Sequence, residues 1–198
     1  MTIENPDNPA DIDRVLRLAD RELWIVTAQS EGRLGGLVST TVTSASIVAG
    51  CPRILLTVAR QHATWSLIES SGSFALHLVR ETDSDLIWRF GTSTGHDPAV
   101  DKFADCPYRT GSTGSPILER AAATLECRVE AGWNIGDRSA YLGAVLRGSI
   151  PEDFQPLTIV QLMQQASEKQ KMLLRELRER DAVVDERAIR NWRAQTGR

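Results

Sequence analysis

The stretch from residue 122 to 147 constrains the fold more than any other part of the chain. Two long runs, 122–133 and 139–147, are rich in apolar and β-branched residues, and Asn134-Ile135-Gly136-Asp137 stands between them. Asn, Gly and Asp tolerate positive φ, so the pair predicts a long antiparallel hairpin. Upstream, residues 21–28 and 35–41 flank the turn Glu31-Gly32-Arg33 and read as a second hairpin. Residues 53–59 follow Pro52 as a nearly unbroken apolar run, which suggests a strand buried on both faces. Residues 73–79 alternate as a further strand. Between them lie two short helical stretches. The first, 64–70, has Thr64 as candidate N-cap and ends at Ser71-Gly72; the second, 83–90, is opened by Thr82 or Asp83 and stopped by Gly91.

Residues 92–116 are rich in Gly, Ser, Thr, Asp and Pro and read as a long surface loop able to reach over a ligand. Only after Pro156 does the period change: Ile159, Leu162, Met163, Ala166, Leu173 and Leu177 recur every three or four residues, the mark of a long amphipathic helix. Leu162, Met163, Ala166 and Leu173 are expected to bury against the barrel or a second subunit, since such a helix has little stability alone. Lys169, Lys171, Arg175, Arg178 and Arg180 alternate with Glu168, Glu176 and Glu179 as a solvated face. Asp185 is the candidate cap of a final short helix containing Ala188, Ile189 and Trp192. Short strands without βαβ alternation favour a mainly β, antiparallel barrel with short helices over a doubly wound fold. Residues 1–150 form the barrel in this reading and 151–198 a C-terminal helical extension.

Composition narrows the partners. A net charge of −3 and a pI near 5.7 give no basic field, so nucleic acid is not expected. Cys51, Cys106 and Cys127 are an odd, widely spaced set without a CxxC pair, which suits a reducing cytoplasm. The acidic start (Glu4, Asp7, Asp11, Asp13) is unlike a secretory signal, and no apolar run reaches the roughly 18 residues of a membrane helix. A soluble, cytoplasmic protein is the expectation. His62, His77 and His96 have no i,i+4 partner, so no metal site is expected, and His77 inside a strand pattern suits a satisfied structural role. GxGxxG, P-loop, HExxH and GxSxG signatures are all absent.

Two segments offer ligand chemistry. Ser39-Thr40-Thr41-Val42-Thr43-Ser44-Ala45-Ser46 is a dense hydroxyl run after two glycines; small residues let a flat ligand approach, and hydroxyls with free amides hold a phosphate. The same residues also suit an ordinary strand edge and loop. Ala59-Arg60-Gln61-His62-Ala63-Thr64-Trp65 joins a strand to a helix N-terminus, where Arg60 and the first-turn amides form an anion cradle or, equally, an exposed Arg beside a plain cap.

In order along the chain, residues 36–46, Pro52-Arg53-Ile54-Leu55-Leu56, Ala59-Arg60 through Thr64-Trp65, Ser71-Gly72-Ser73-Phe74-Ala75, Trp88-Arg89-Phe90, residues 125–131 and Gly136-Asp137-Arg138 resemble the flavin reductase-like, FMN-binding split-barrel family. The resemblance covers about residues 23–148. It implies a six-stranded Greek-key split barrel, a homodimer, and flavin at the subunit interface. By position it implies Ser39, Thr40 and Thr41 along the flavin, Ser44, Ala45 and Ser46 near its ribityl chain or phosphate, and Arg60, His62 and Thr64 around the phosphate. Trp65 and Phe90 are left to the core.

The resemblance further implies FMN, with FAD as the alternative, and NADH or NADPH as hydride donor. No side chain is assigned as catalytic. Many relatives have His at the position of Arg138, the candidate for the nicotinamide site; Arg138 stays charged and shuttles no proton, but suits a pyrophosphate or pairs with Asp137. Reduced flavin would then pass to a partner monooxygenase or to oxygen. Two alternatives remain: a flavoprotein that keeps FMN and exchanges electrons with another protein, and a split barrel holding haem or another planar ligand, the haem version lacking a convincing axial His or Met.

Overall fold

In the computed structural model, which describes residues 7–93, 95–96 and 100–197, β1 (Trp24–Ser30) and β2 (Arg33–Ser39) form the first hairpin. Glu31 and Gly32 both have positive φ, 51° and 76°, so the turn twists with its strands. Then come β3 (Val42–Ser44), β4 (Arg53–Ala59) and β5 (Ser73–Leu78). The long hairpin is β8 (Ala123–Asn134) with β9 (Arg138–Ser149), closed at Gly136, whose φ is 105°. These seven strands make one antiparallel sheet in the order β2-β1-β5-β8-β9-β4-β3. The expected 92–116 loop contains β6 (Tyr108–Thr110) and leads into β7 (Pro116–Leu118), a separate two-stranded sheet. Thr94 and residues 97–99 of that loop, and Glu4, lie outside the described residues.

The edge strands of the main sheet, β2 and β3, are consecutive in the chain and separated only by Thr40 and Thr41. The three chain steps from Ser39 to Val42 span at most about 11 Å, so the sheet must curl until its edges meet. The hydroxyl run is the seam of the resulting half-barrel. Thr41 Oγ1 donates to the Thr57 carbonyl at 3.1 Å and accepts from Thr57 Oγ1 at 2.8 Å, while Thr57 N donates to the Thr41 carbonyl. Register shifts in β8 at Glu126/Cys127 and Val129/Ala131 add the local twist that closure requires. The short β3 is the seventh strand beyond the six implied by the resemblance.

The glycines ahead of the seam serve packing. A Cβ on Gly35 would meet Leu67 at 2.6 Å and Thr64 Oγ1 at 3.0 Å, both on α2 (Ala63–Ser71). One on Gly36 would meet the Phe90 ring at 2.5 Å, on α3 (Ser84–Thr92). Successive strand residues face opposite ways, so the pair lets one helix lie against each side of β2. Helices α2 and α3 occupy the space that a side chain at Gly35 or Gly36 would need.

One core cluster lies inside the barrel around Phe74, Ile68 and Leu56; a second, around Phe90, Leu86 and Leu157, joins β1 and α3 to the C-terminal segment. His77 is fully buried: Leu118 N donates to Nε2 at 3.2 Å, which leaves the Nδ1 proton to donate to the Ile25 carbonyl at 3.1 Å. Burial holds its pKa down to about 4, as suits a satisfied structural histidine.

Several local expectations change. Strand β4 alternates instead of burying both faces, with Leu55 exposed and Ile54 and Leu56 buried. Thr64 lies inside α2, buried against Gly35, and the N-cap is His62. A 3₁₀ turn, Glu81–Asp83, leads into α3, which continues through Gly91 to Thr92. An unanticipated helix, α1 (Pro9–Leu16), is capped by Asn8, with Pro9 at its start.

The C-terminal segment is α4 (Ile159–Gln165) followed by one 29-residue helix, α5 (Glu168–Thr196). Thr158 with Gln161, and Ser167 with Gln170, form complete capping boxes that break the expected single helix after Ala166. Asp185 therefore lies in the middle of α5 and caps nothing. Leu157 is buried and bonded to both Leu23 and Val79, and Leu162 and Ala166 are buried, whereas Leu173 is exposed in the single chain. Among the described residues no helix is long and apolar enough to cross a membrane.

Candidate functional site

A cleft of about 620 Å³ lies among the described residues between the β2 end of the seam, α3 and α5. Thr40, His62 and Arg138 share it with Trp88 and Lys102, and Leu174, Leu177 and Asp181 of α5 wall it. This size suits a cofactor-sized ligand. A 300 Å³ recess shares His62 and Asp181 with it. Burial lowers the pKa of His62, with Asp181 opposing and Lys102 and Arg138 reinforcing the shift, so at neutral pH its imidazole is uncharged and able to donate or accept a hydrogen bond.

Arg138 sits where β9 begins. Its Nε is 3.1 Å from Asp137 and its guanidinium 3.5 Å from Asp185, whose other oxygen accepts from Gln61 Nε2 at 3.0 Å. Asp185 thus ties α5 to both the β4–α2 connection and the late hairpin. Gly136 lets α5 pass this closely: a Cβ there would meet Ile189 Cα at 3.3 Å and Trp192 Cβ at 3.4 Å. Burial pushes the Asp185 carboxyl up, against the pull of Arg138.

The other sequence-derived residues go elsewhere. Ser39 Oγ lies 3.0 Å from Thr41 Oγ1 and accepts from Thr41 N, so both side chains are spent on the seam. Ser44 and Ser46 line a separate 480 Å³ groove beside Val42 and Ile54. There Ser44 Oγ donates to the Ser46 carbonyl, Ser46 Oγ accepts from Val48 N, and Ala45 N donates to the Arg53 carbonyl. Arg60 lines a fourth hollow, 320 Å³, with its guanidinium 4.9 Å over the Trp65 ring. Trp65 in turn donates to Ser139 Oγ at 2.9 Å, and Phe90 packs on Gly36; both aromatics belong to the scaffold. Thr64 is buried and lines none of these recesses. One chain brings Thr40, His62 and Arg138 together and leaves the serines and Arg60 in other hollows.

Sequence reasoning passed over Lys102. Its Nζ donates to the Gly36 carbonyl at 2.9 Å and the Phe90 carbonyl at 3.0 Å at the edge of the cleft. Burial lowers its pKa to about 8. A signal was available: of 23 basic residues only three are lysines, and the other two, Lys169 and Lys171, lie in α5.

A family model described as "Flavin reductase like domain" matches residues 16–166. The ferric-chelate reductase (NAD(P)H) of Archaeoglobus fulgidus is 28% identical over 138 residues, 69% of this chain and 79% of that protein. The flavin-dependent monooxygenase reductase subunit HsaB of Mycobacterium tuberculosis is 34% identical over 94 residues, 48% of each chain. The crystal structure of a nitrilotriacetate monooxygenase component B homolog from Mycobacterium thermoresistibile superposes with a TM-score of 0.65 at 27% identity, covering 75% of this chain and 80% of that one. The family model takes in every strand of the half-barrel and extends through α4, so the chain belongs to the flavin reductase like domain family.

Proposed function

We propose that this protein is an NAD(P)H-dependent flavin reductase that works as a homodimer, with FMN as the flavin and FAD as the alternative. The observation that carries the reading is the 620 Å³ cleft at the barrel seam, where Thr40, His62 and Arg138 converge inside a flavin reductase like domain. The donor set fits such a ligand: uncharged and cationic donors for phosphate and carbonyl oxygens beside the flat apolar face of Trp88.

Flavin, when bound, supplies the hydride-accepting chemistry, and nicotinamide supplies the hydride. The chain's work is to bind, orient and exclude water. Ser39, Thr40 and Thr41 form the seam along which the ring lies; Ser44, Ala45, Ser46, Arg60, His62 and Thr64 are the proposed surroundings of the ribityl chain and phosphate. Because Ser44 and Ser46, Arg60 and His62 occupy separate hollows in one chain, the proposal needs a second copy to complete the site. Exposed Ile47 and Val48 support it: Val145 N donates to the Pro52 carbonyl, so their loop lies at the end of β9 that exposes Leu146 and Ile150. Arg138 is the proposed contact for the nicotinamide dinucleotide pyrophosphate, and a monooxygenase component is the proposed recipient of reduced flavin, as the names of two relatives suggest.

The test is an anaerobic absorption spectrum of flavin-loaded protein before and after NADH and NADPH. Bleaching of the flavin band with turnover is the expected result. A bound flavin indifferent to both nucleotides supports the second reading, an FMN-retaining electron-transfer protein, which the pairing of Arg138 with Asp137 and Asp185 favours.

A further inference from the structure

Lys102 is the lone lysine ahead of residue 169, in a stretch that otherwise uses arginine for its cations. An ammonium is a compact charge with three donors, whereas guanidinium is a wide planar fork. Two of the three donors are used: one on the Gly36 carbonyl in the middle of β2, one on the Phe90 carbonyl in the last turn of α3. The second contact is the ordinary placement of a cation at a helix C-terminus, where carbonyls lack partners. Taken alone, these contacts describe a clamp between β2 and α3.

Three observations exceed a clamp. The residue lines the 620 Å³ cleft instead of being sealed beneath it. No partner for the third N–H exists among the described residues. No carboxylate among the described residues pairs with it either, although Arg138 and Arg178 on the same cleft are each held by aspartates. Burying an ammonium without a counter-charge is costly, and both tethers are neutral carbonyls. The clamp alone needs no net charge at this point.

We infer that Lys102 is a cofactor-contacting residue, whose free N–H and uncompensated charge meet an anionic oxygen of the flavin bound in this cleft. The inference rests on the flavin reading above and extends it to a residue that neither the hydroxyl run nor the Arg60–Thr64 segment contains. Two oxygens of one ligand have the required chemistry: the phosphate of FMN, and the ring carbonyl that gains negative charge on reduction. Either one suits the single free N–H of the tethered ammonium, and the two are told apart by experiment.

The experiment measures dissociation constants of FMN and riboflavin, and the midpoint potential of bound FMN, for full-length wild type, Lys102→Gln and Lys102→Arg. Glutamine retains two N–H donors for the tethers but loses the charge, and melting curves without flavin report any loss of the clamp. The expected result is FMN binding about tenfold or more weaker in Lys102→Gln, returning to within about threefold of wild type in Lys102→Arg. Weakening confined to FMN places the contact at the phosphate. Weakening of riboflavin as well, with a more negative potential, places it at the ring. A Lys102→Gln protein that binds both flavins like wild type at an unchanged potential overturns the assignment. Should that variant not fold, Lys102→Arg decides: flavin affinity far below wild type despite a normal melting curve would overturn the charge-based contact, and near-wild-type affinity would uphold it. Wild-type protein that binds neither flavin defeats the flavin reading itself, which separates the two failures.

Discussion

His77 in the barrel wall and Lys102 in the cleft are both bases whose protonation burial disfavours, His77 down to about 4 and Lys102 to about 8. His77 has one donor and one acceptor when neutral, and the protein meets both, through Ile25 and Leu118. Lys102 has three donors and the described residues meet two. The difference between the two bases separates scaffold from site: the histidine sealed in the barrel wall has both its hydrogen bonds answered, and the lysine whose count falls short lies on the cleft. The seam threonines differ in the same way. Thr41 and Thr57 satisfy each other, while Thr40 lines the cleft.

The sharpest way to break the comparison is to remove the C-terminal elements in two steps. Truncation after residue 156 deletes Leu157 and Leu162 from the second core cluster and is expected to cost at least about 4 kcal/mol. Truncation after Ala166 removes only α5, which has no buried residue, and is expected to leave the urea midpoint near wild type while opening the cleft. Equal losses in the two proteins would show that α5 belongs to the scaffold.

Gly36→Ala places a methyl 2.5 Å from the Phe90 ring and is expected to destabilise by about 3 kcal/mol in the same assay. A neutral outcome would mean that α3 yields and that the Gly36 side of β2 is not closely packed.

His77 gives the pH test. Its folded pKa lies below the unfolded value, so the unfolded chain binds the extra proton; stability is unaffected above pH 6.5 and falls as pH drops toward 4. The loss from this residue reaches about 3 kcal/mol. His77→Leu is expected to cost about 2 kcal/mol at neutral pH, because it orphans the Ile25 carbonyl and Leu118 amide, and to flatten the acid decline. Parallel pH–stability curves for the two proteins would refute this assignment.

The smallest effect belongs to Asp185→Asn. Arg138 is 38% exposed and keeps Asp137 as partner, so the stability change is expected to stay below about 1 kcal/mol and to shrink further in high salt. A larger, salt-independent loss in melting temperature would place the Gln61–Asp185–Arg138 tie inside the scaffold.

Much of the half-barrel is legible in the sequence because its hairpins are local: alternation in β8 and β9, and positive-φ residues at Glu31-Gly32 and Gly136, act within a few positions. The seam was less legible. That residues 39–42 join the two edge strands of one sheet follows from the whole strand order, which no window of neighbouring residues reports. Asp185 has the chemistry of an N-cap, yet mid-helix it finds Gln61 and Arg138 instead, and tertiary partners override the local preference. Gly35-Gly36 announces close approach without saying of what, and the answer is Leu67 and Phe90. Lys102 falls in a stretch whose composition reads only as loop, and its two tethers come from residues 66 and 12 positions away.

The paired capping boxes at Thr158 and Ser167 have a consequence for how such an arm could vary. Each fixes the heading of its helix within one turn, using side chains three residues apart. The direction in which the arm leaves the barrel is therefore decided at its root, and turns added to or trimmed from its far end would alter its reach without re-aiming it.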